Sequence, residues 1–278
     1  MMPVDRIGMT DTISAPDTRS TWRAELRGIL MLALAVIGFH SLIARPFYIA
    51  SGSMMPELLT GDRLVVSKYP YGWSYASVSF DVLPALRGRL FGRLPTRGDI
   101  VILTPPDPAR RSETLIKRVI GLPGDTVQMV RGRLWLNGRP VATEDRGLQR
   151  IVDNGNAPCP GEVTDGICRV HMMRETLPNG ASYTTMDLGQ SRLDDTVAYR
   201  VPAGHIYVMG DNRDNSADSR VATDEGGLGG AVPVESIGGR AEFATFSLNG
   251  NATWNPLGWL AGFRWDRTGD SLRPVIRS

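Results

Sequence analysis

Seventeen consecutive residues, Gly28 to Ala44 (GILMLALAVIGFHSLIA), carry no formal charge, and only His40 and Ser41 among them are polar. As a helix they rise about 26 Å at about 1.5 Å per residue, close to the hydrocarbon thickness of a thin bilayer. A helix buried in a soluble core rarely lacks a polar face over about five turns, and the apolar region of a cleaved leader is shorter, about 7 to 15 residues. The stretch predicts one retained transmembrane anchor over 28–44. Arg6, Arg19, Arg23 and Arg27 precede it, with Trp22 near its edge, which by the positive-inside rule makes 1–27 a cytoplasmic tail. Residues 45–278 then lie outside the cytoplasm. A mean hydropathy of -0.14 excludes a many-pass membrane protein.

The remainder reads as mainly β. Gly 31 and Pro 19 make 50 of 278 residues, about 18% where about 12% is usual, so turns are frequent. Short apolar runs bounded by turn residues predict strands over 99–104, 115–120, 126–130, 134–137, 139–142, 205–209 and 241–248. Asn137-Gly138 joins two of them as a hairpin turn that tolerates positive φ. Residues 71–97 and about 140–200 are poorer in apolar periodicity and read as excursions from a core sheet, the second being a smaller inserted β-rich region. No long amphipathic helical pattern follows residue 45.

With Lys+Arg 31 against Asp+Glu 29, the net charge of +2 gives no electrostatic case for a nucleic-acid partner. Three His and two Cys leave little for a metal cluster, and no metal or other cofactor is expected. Cys159 and Cys168 lie in the part assigned to an oxidising compartment. A disulfide there closes a 10-residue loop and stabilises by about 2 to 3 kcal/mol on the chain-entropy account, two reduced thiols being the alternative.

The histidine inventory constrains catalysis. His40 lies in the apolar stretch, His171 and His205 have no flanking catalytic pattern, and no G-x-S-x-G elbow occurs, so a Ser-His-Asp enzyme has little support. Lysine is the other candidate base, provided that burial brings its pKa from about 10.4 toward 7 or 8. The chain has two, Lys68 and Lys117. Lys68, followed by Tyr and Pro, reads as an exposed strand end. Lys117, in LIKRV, shares a strand face with Leu115 and Val119, but Arg118 has equivalent company in Ile116 and Ile120, so periodicity does not choose between them.

Four segments in order add to this: FYIASGSMMPELLTGDRLVVSKYPYG, RGDIVILTPP, IKRVIGLPGD and VMGDNRDNSADSR. Behind an apolar anchor they resemble the successive signature boxes of bacterial type I signal peptidases, membrane-anchored Ser-Lys endopeptidases; the boxes span 46–72, 97–130 and 201–248. The resemblance implies Ser53 as nucleophile and Lys117 as general base, with the Ser51 hydroxyl and the Ser53 N–H as oxyanion donors. It makes Ser216 the residue that orients the lysine and Asp218 with Arg220 a supporting charged pair. Ile49, Met54, Leu58 and Leu115 would line one shallow substrate pocket, and Phe47 and Ile116 a second. Three features depart from the family pattern: Glu57 stands where a small polar residue is common, Leu115 where an aromatic one often is, and the cysteine spacing differs from that of the family's best-known disulfide.

The resemblance further implies signal peptides of preproteins as substrates, membrane lipid and the protein export machinery as neighbours, and a single-pass place in the bacterial inner membrane with the catalytic β domain, 45–278, on the periplasmic side. Cleavage would follow A-x-A-like sites. The rival readings are a same-fold peptidase specialised for one pilus or conjugation protein, and a membrane-tethered β binding module without catalysis.

Overall fold

The structure, a computed structural model, describes residues 18–78, 84, 86–151, 159–164, 167–249 and 262–276. The first 17 residues of the expected tail and residues 250–261 of the unassigned C-terminal stretch lie outside them. The chain divides into two units, 1–38 and 39–278.

Helix α1 spans Thr18–Leu42. It begins ten residues before the expected anchor, because Trp22, Ala24, Glu25 and Leu26 continue a helix-favouring sequence upstream of the uncharged run. It ends two residues earlier, because Arg45-Pro46 forbids continuation: Pro lacks an N–H, and the residue before it avoids the α region. Its apolar side chains from Leu26 to Ile37 are exposed. This helix is long and apolar enough to cross a membrane.

The body is built of antiparallel strands in three sheets. The first has seven strands: β1 (Ala44–Tyr48), β2 (Asp62–Ser67), β3 (Ile100–Leu103), β4 (Leu115–Gly121), β13 (His205–Met209), β14 (Val232–Pro233) and β15 (Ile237–Ser247), in the order β1-β2-β15-β3-β4-β13-β14. Pro46 sits in β1 at the edge, where a missing donor costs no ladder bond. β4 lies between β3 and β13 and is buried on both faces from Ile116 on, which explains its unbroken apolar run and why a lysine and an arginine inside it lose water.

A second sheet of four comprises β5 (Thr126–Val130), β6 (Arg133–Leu136), β7 (Arg139–Pro140) and β12 (Tyr199–Arg200). Asn137 and Gly138 both take positive φ, 54° and 74°, so the expected hairpin forms with both central residues left-handed.

The third sheet is the inserted region: β8 (Ala142–Arg150), β9 (Glu162–Thr164), β10 (Ile167–Thr176) and β11 (Ala181–Asp187), joined by β16 (Val275–Ile276) from the C-terminal stretch. Cys159 and Cys168 form a disulfide in it. Cys168 packs with Met172 and Met186 against Met55 and Leu59, so the inserted sheet docks behind the residues that follow Ser53.

Candidate active site

Three chain segments converge. Residues 49–61 form a turn-rich loop between β1 and β2, β4 supplies Lys117, and the loop 210–220 follows β13. Ser53 and Lys117 are both buried, and Nζ of Lys117 stands 2.8 Å from Oγ of Ser53. Burial drives the Lys117 pKa down. Asp218 and Asp211 offset part of that and Arg220 adds to it, leaving the amine at about 8. The Ser51 hydroxyl is 3.4 Å from that of Ser53, and the Ser53 N–H donates to no described residue.

The loop 210–220 holds the Ser53 segment by its backbone. Asn212 N–H donates to the Ser53 carbonyl at 3.1 Å, and its side-chain amide to the Gly52 carbonyl at 3.3 Å. Gly210 is required by close approach: a Cβ there would lie 2.2 Å from Ser216 Oγ and 2.4 Å from the Ser53 carbonyl oxygen. Asp218 accepts from Gly210 N–H at 2.9 Å and pairs with Arg220 at 2.8 Å, both side chains being buried. Burial would raise the Asp218 pKa, but Arg220 together with the Gly210 and Arg220 N–H donors outweighs it and holds the carboxyl below its usual range. The pair thus ties the two ends of the loop.

Ser216 is brought beside this centre, but its Oγ is buried with no hydrogen-bond partner among the described residues; the expected bond to the Lys117 amine is not formed here. Ile49, Met54, Leu58 and Ile116 share one buried cluster with Phe47 against it, whereas Leu115 packs in another with Val101, Leu103 and Val119. The structure thus groups Ile116 and Phe47 with the residues expected for the first pocket and places Leu115 apart from them, because β4 turns alternate side chains to opposite faces. Lys68, the residue just past β2, is buried rather than exposed. Glu57 is half-buried, and desolvation raises its pKa despite Arg118.

Sequence reasoning missed a charged network beneath the loop. Arg118 donates two bonds to Asp211, at 2.7 and 2.6 Å, and a third to the Gly98 carbonyl. Arg213 pairs with Glu175, which also accepts from the Tyr183 hydroxyl at 2.8 Å. Arg118 was detectable by its place in the same apolar run as Lys117. Glu175 and Tyr183 carry no signal, because the arginines they meet, Arg213 and Arg118, lie far from them in sequence. Among the described residues no group of three or more His, Cys, Asp or Glu side chains is placed to hold a metal ion.

The sequence model described as signal peptidase, peptidase S26, matches residues 22–246, most of the chain. The chain belongs to this family. Within it, a signal peptidase I of Rickettsia typhi (strain ATCC VR-144 / Wilmington) is 35% identical over 85% of this chain and 84% of its own, and one of Rickettsia conorii (strain ATCC VR-613 / Malish 7) is 33% identical over 86% and 84%. A crystal structure of a signal peptidase I from Enterococcus faecalis V583 is 26% identical and covers 53% of this chain and 97% of its own, with a TM-score of 0.28. As an S26 family member this chain is a serine endopeptidase, which excludes the binding module without catalysis.

Proposed function

We propose that the chain removes signal peptides from exported preproteins with Ser53 as nucleophile and Lys117 as general base. The observation that carries this reading is the 2.8 Å contact between Nζ and Oγ, made by an amine whose burial brings it to about 8. A neutral fraction is then present near pH 7, as a general base needs. Ser53 Oγ attacks the scissile carbonyl carbon while Lys117 takes its proton. The oxygen that becomes negative sits against the Ser51 hydroxyl and the Ser53 N–H, donors whose worth grows as charge develops. Collapse breaks the C–N bond, and the Lys117 ammonium returns its proton to the leaving amine. Lys117 next deprotonates a water that attacks the acyl ester, releasing the signal peptide as a carboxylate and Ser53 with its proton restored. Asp218 and Arg220 position the loop, and Ser216, buried beside it, is the residue assigned to orient the amine.

Small A-x-A residues suit the apolar groups Phe47, Ile49, Met54, Leu58 and Ile116 around the nucleophile. Helix α1 serves as the membrane anchor, placing residues 45–278 on the periplasmic face of the inner membrane with cleavage sites emerging beside Ser53. The test is purified full-length protein in detergent with a preprotein ending its signal in A-x-A. Ser53→Ala and Lys117→Ala each lose at least about 10³-fold in kcat, the scale of removing a nucleophile or its base. Full activity in both variants overturns the dyad.

A further inference from the structure

The inserted sheet does more than extend the fold. Its β11 backbone grips the loop 210–220: Met186 N–H donates to the Asp211 carbonyl at 2.9 Å, and Arg213 N–H donates back to the Met186 carbonyl at 3.1 Å. Its side chains reach further. Glu175 on β10 and Tyr183 on β11 are cross-strand partners, and both are buried. Glu175 accepts from Tyr183 and from Arg213, whose other nitrogen, Nη1, donates to the Gly210 carbonyl at 2.7 Å. Arg118, beside the lysine in β4, stacks over the Tyr183 ring with 4.3 Å from Cζ to centroid. A continuous chain of contacts runs from the inserted sheet to Gly210, the residue wedged between the Ser53 carbonyl and Ser216.

We infer that Glu175 and Tyr183 of the inserted sheet are positioning residues for peptide-bond cleavage, acting through Arg213 on the Gly210 carbonyl and so on the seat of Ser53 and Ser216. Two features support a role beyond stability. A buried carboxylate-guanidinium pair is often no more stabilising than apolar residues of like volume. This pair also spends one of its donors on the carbonyl of Gly210, the residue packed against Ser53 and Ser216. Misplacement of a nucleophile by about 1 Å costs about 100-fold in rate. The proposal rests on the Ser53–Lys117 reading, so Ser53→Ala is assayed beside each variant; residual activity there sinks that reading alone and leaves the effect of Glu175 on cleavage to be read on its own.

The experiment measures kcat and KM of the full-length protein in detergent with a signal-peptide substrate, together with thermal unfolding, for Glu175→Gln, Tyr183→Phe and the paired replacement of Glu175→Leu with Arg213→Met. Glu175→Gln is expected to lower kcat about 10- to 100-fold with KM little changed. Tyr183→Phe keeps the ring against Arg118 and loses less. The paired variant removes both charges and so leaves neither buried unpaired; it should remain folded yet stay slow, because Gly210 has lost its donor. Glu175→Asp should recover part of the rate. Wild-type kcat in the folded paired variant, or losses that vanish once scaled to the folded fraction, overturns the proposal.

Discussion

At the scale of single residues, the proposed dyad contains a lysine that is costly to bury. Its pKa is about 8 in the folded chain against the ordinary 10.5. Between those values the unfolded chain binds a proton that the folded chain has released, so stability rises with pH across that window. Below about pH 8 both states are protonated and the full penalty applies, of order 3 kcal/mol for a difference of this size. Lys117→Met should therefore unfold at a higher denaturant concentration than wild type at pH 7, with the advantage shrinking toward pH 10. Activity of the wild type should follow the same group: kcat/KM climbs with pH on a limb centred near 8, where the amine becomes neutral. A stability difference independent of pH, or a rate limb at pH 6 or below, would contradict this account of Lys117. Much of this residue-level chemistry could be read from the sequence, since two lysines and three histidines leave few candidate bases. Periodicity did not separate Lys117 from Arg118: both are buried in β4, and the fold shows that one meets Ser53 and the other Asp211.

Among the elements, what could be read depended on how much apolar surface each strand buries. β3, β4, β5 and β13 carry apolar runs and were expected close to their observed bounds. β15 begins four residues before its expected start, at Ile237, because Gly238 and Gly239 hide the pattern while allowing close packing on Ala76 and Ser67. β8, with the sequence ATEDRGLQR, exposes most of its residues and offers no periodicity to detect; it holds its place through pairing with β10. In β10 the alternation is present, with Cys168, Val170 and Met172 buried between Arg169 and His171, but polar and sulfur-bearing residues mask it. The Cys159–Cys168 disulfide restrains this sheet near its β9–β10 corner. Closing a loop of this length is worth about 2 to 3 kcal/mol on the chain-entropy account. Cys159→Ser with Cys168→Ser should lower the denaturant midpoint accordingly. It should also slow cleavage modestly, because Cys168 packs on the same cluster as Met55 and Leu59. An unchanged midpoint under oxidising conditions would mean that the bridge does not constrain the unfolded chain.

For the whole molecule, the proposed anchor and the proposed dyad fall in different units. Both Ser53 and Lys117 belong to the unit 39–278, while the apolar length of α1 lies almost wholly in the other. The exposed side chains of that helix, Leu32 and Val36 among them, would be an aggregation liability in water and are at home in lipid. A single Arg near the centre of a span costs about 2.5 to 3.5 kcal/mol on the insertion scale, and each apolar residue removed forfeits about 0.3 to 0.6 more. Leu32→Arg with Val36→Arg therefore penalises insertion by about 6 to 8 kcal/mol, a factor of about 10⁴ or more in the equilibrium. Wild type should sediment with membranes after alkaline carbonate washing, and the double variant should appear in the supernatant. Leu32→Ala with Val36→Ala changes the same positions without adding charge and should stay in the pellet. In detergent all three should cleave a short peptide at similar rates, because neither position lies in the unit that holds the site. A doubly charged variant that remains in the washed membrane would remove α1 from the role of anchor.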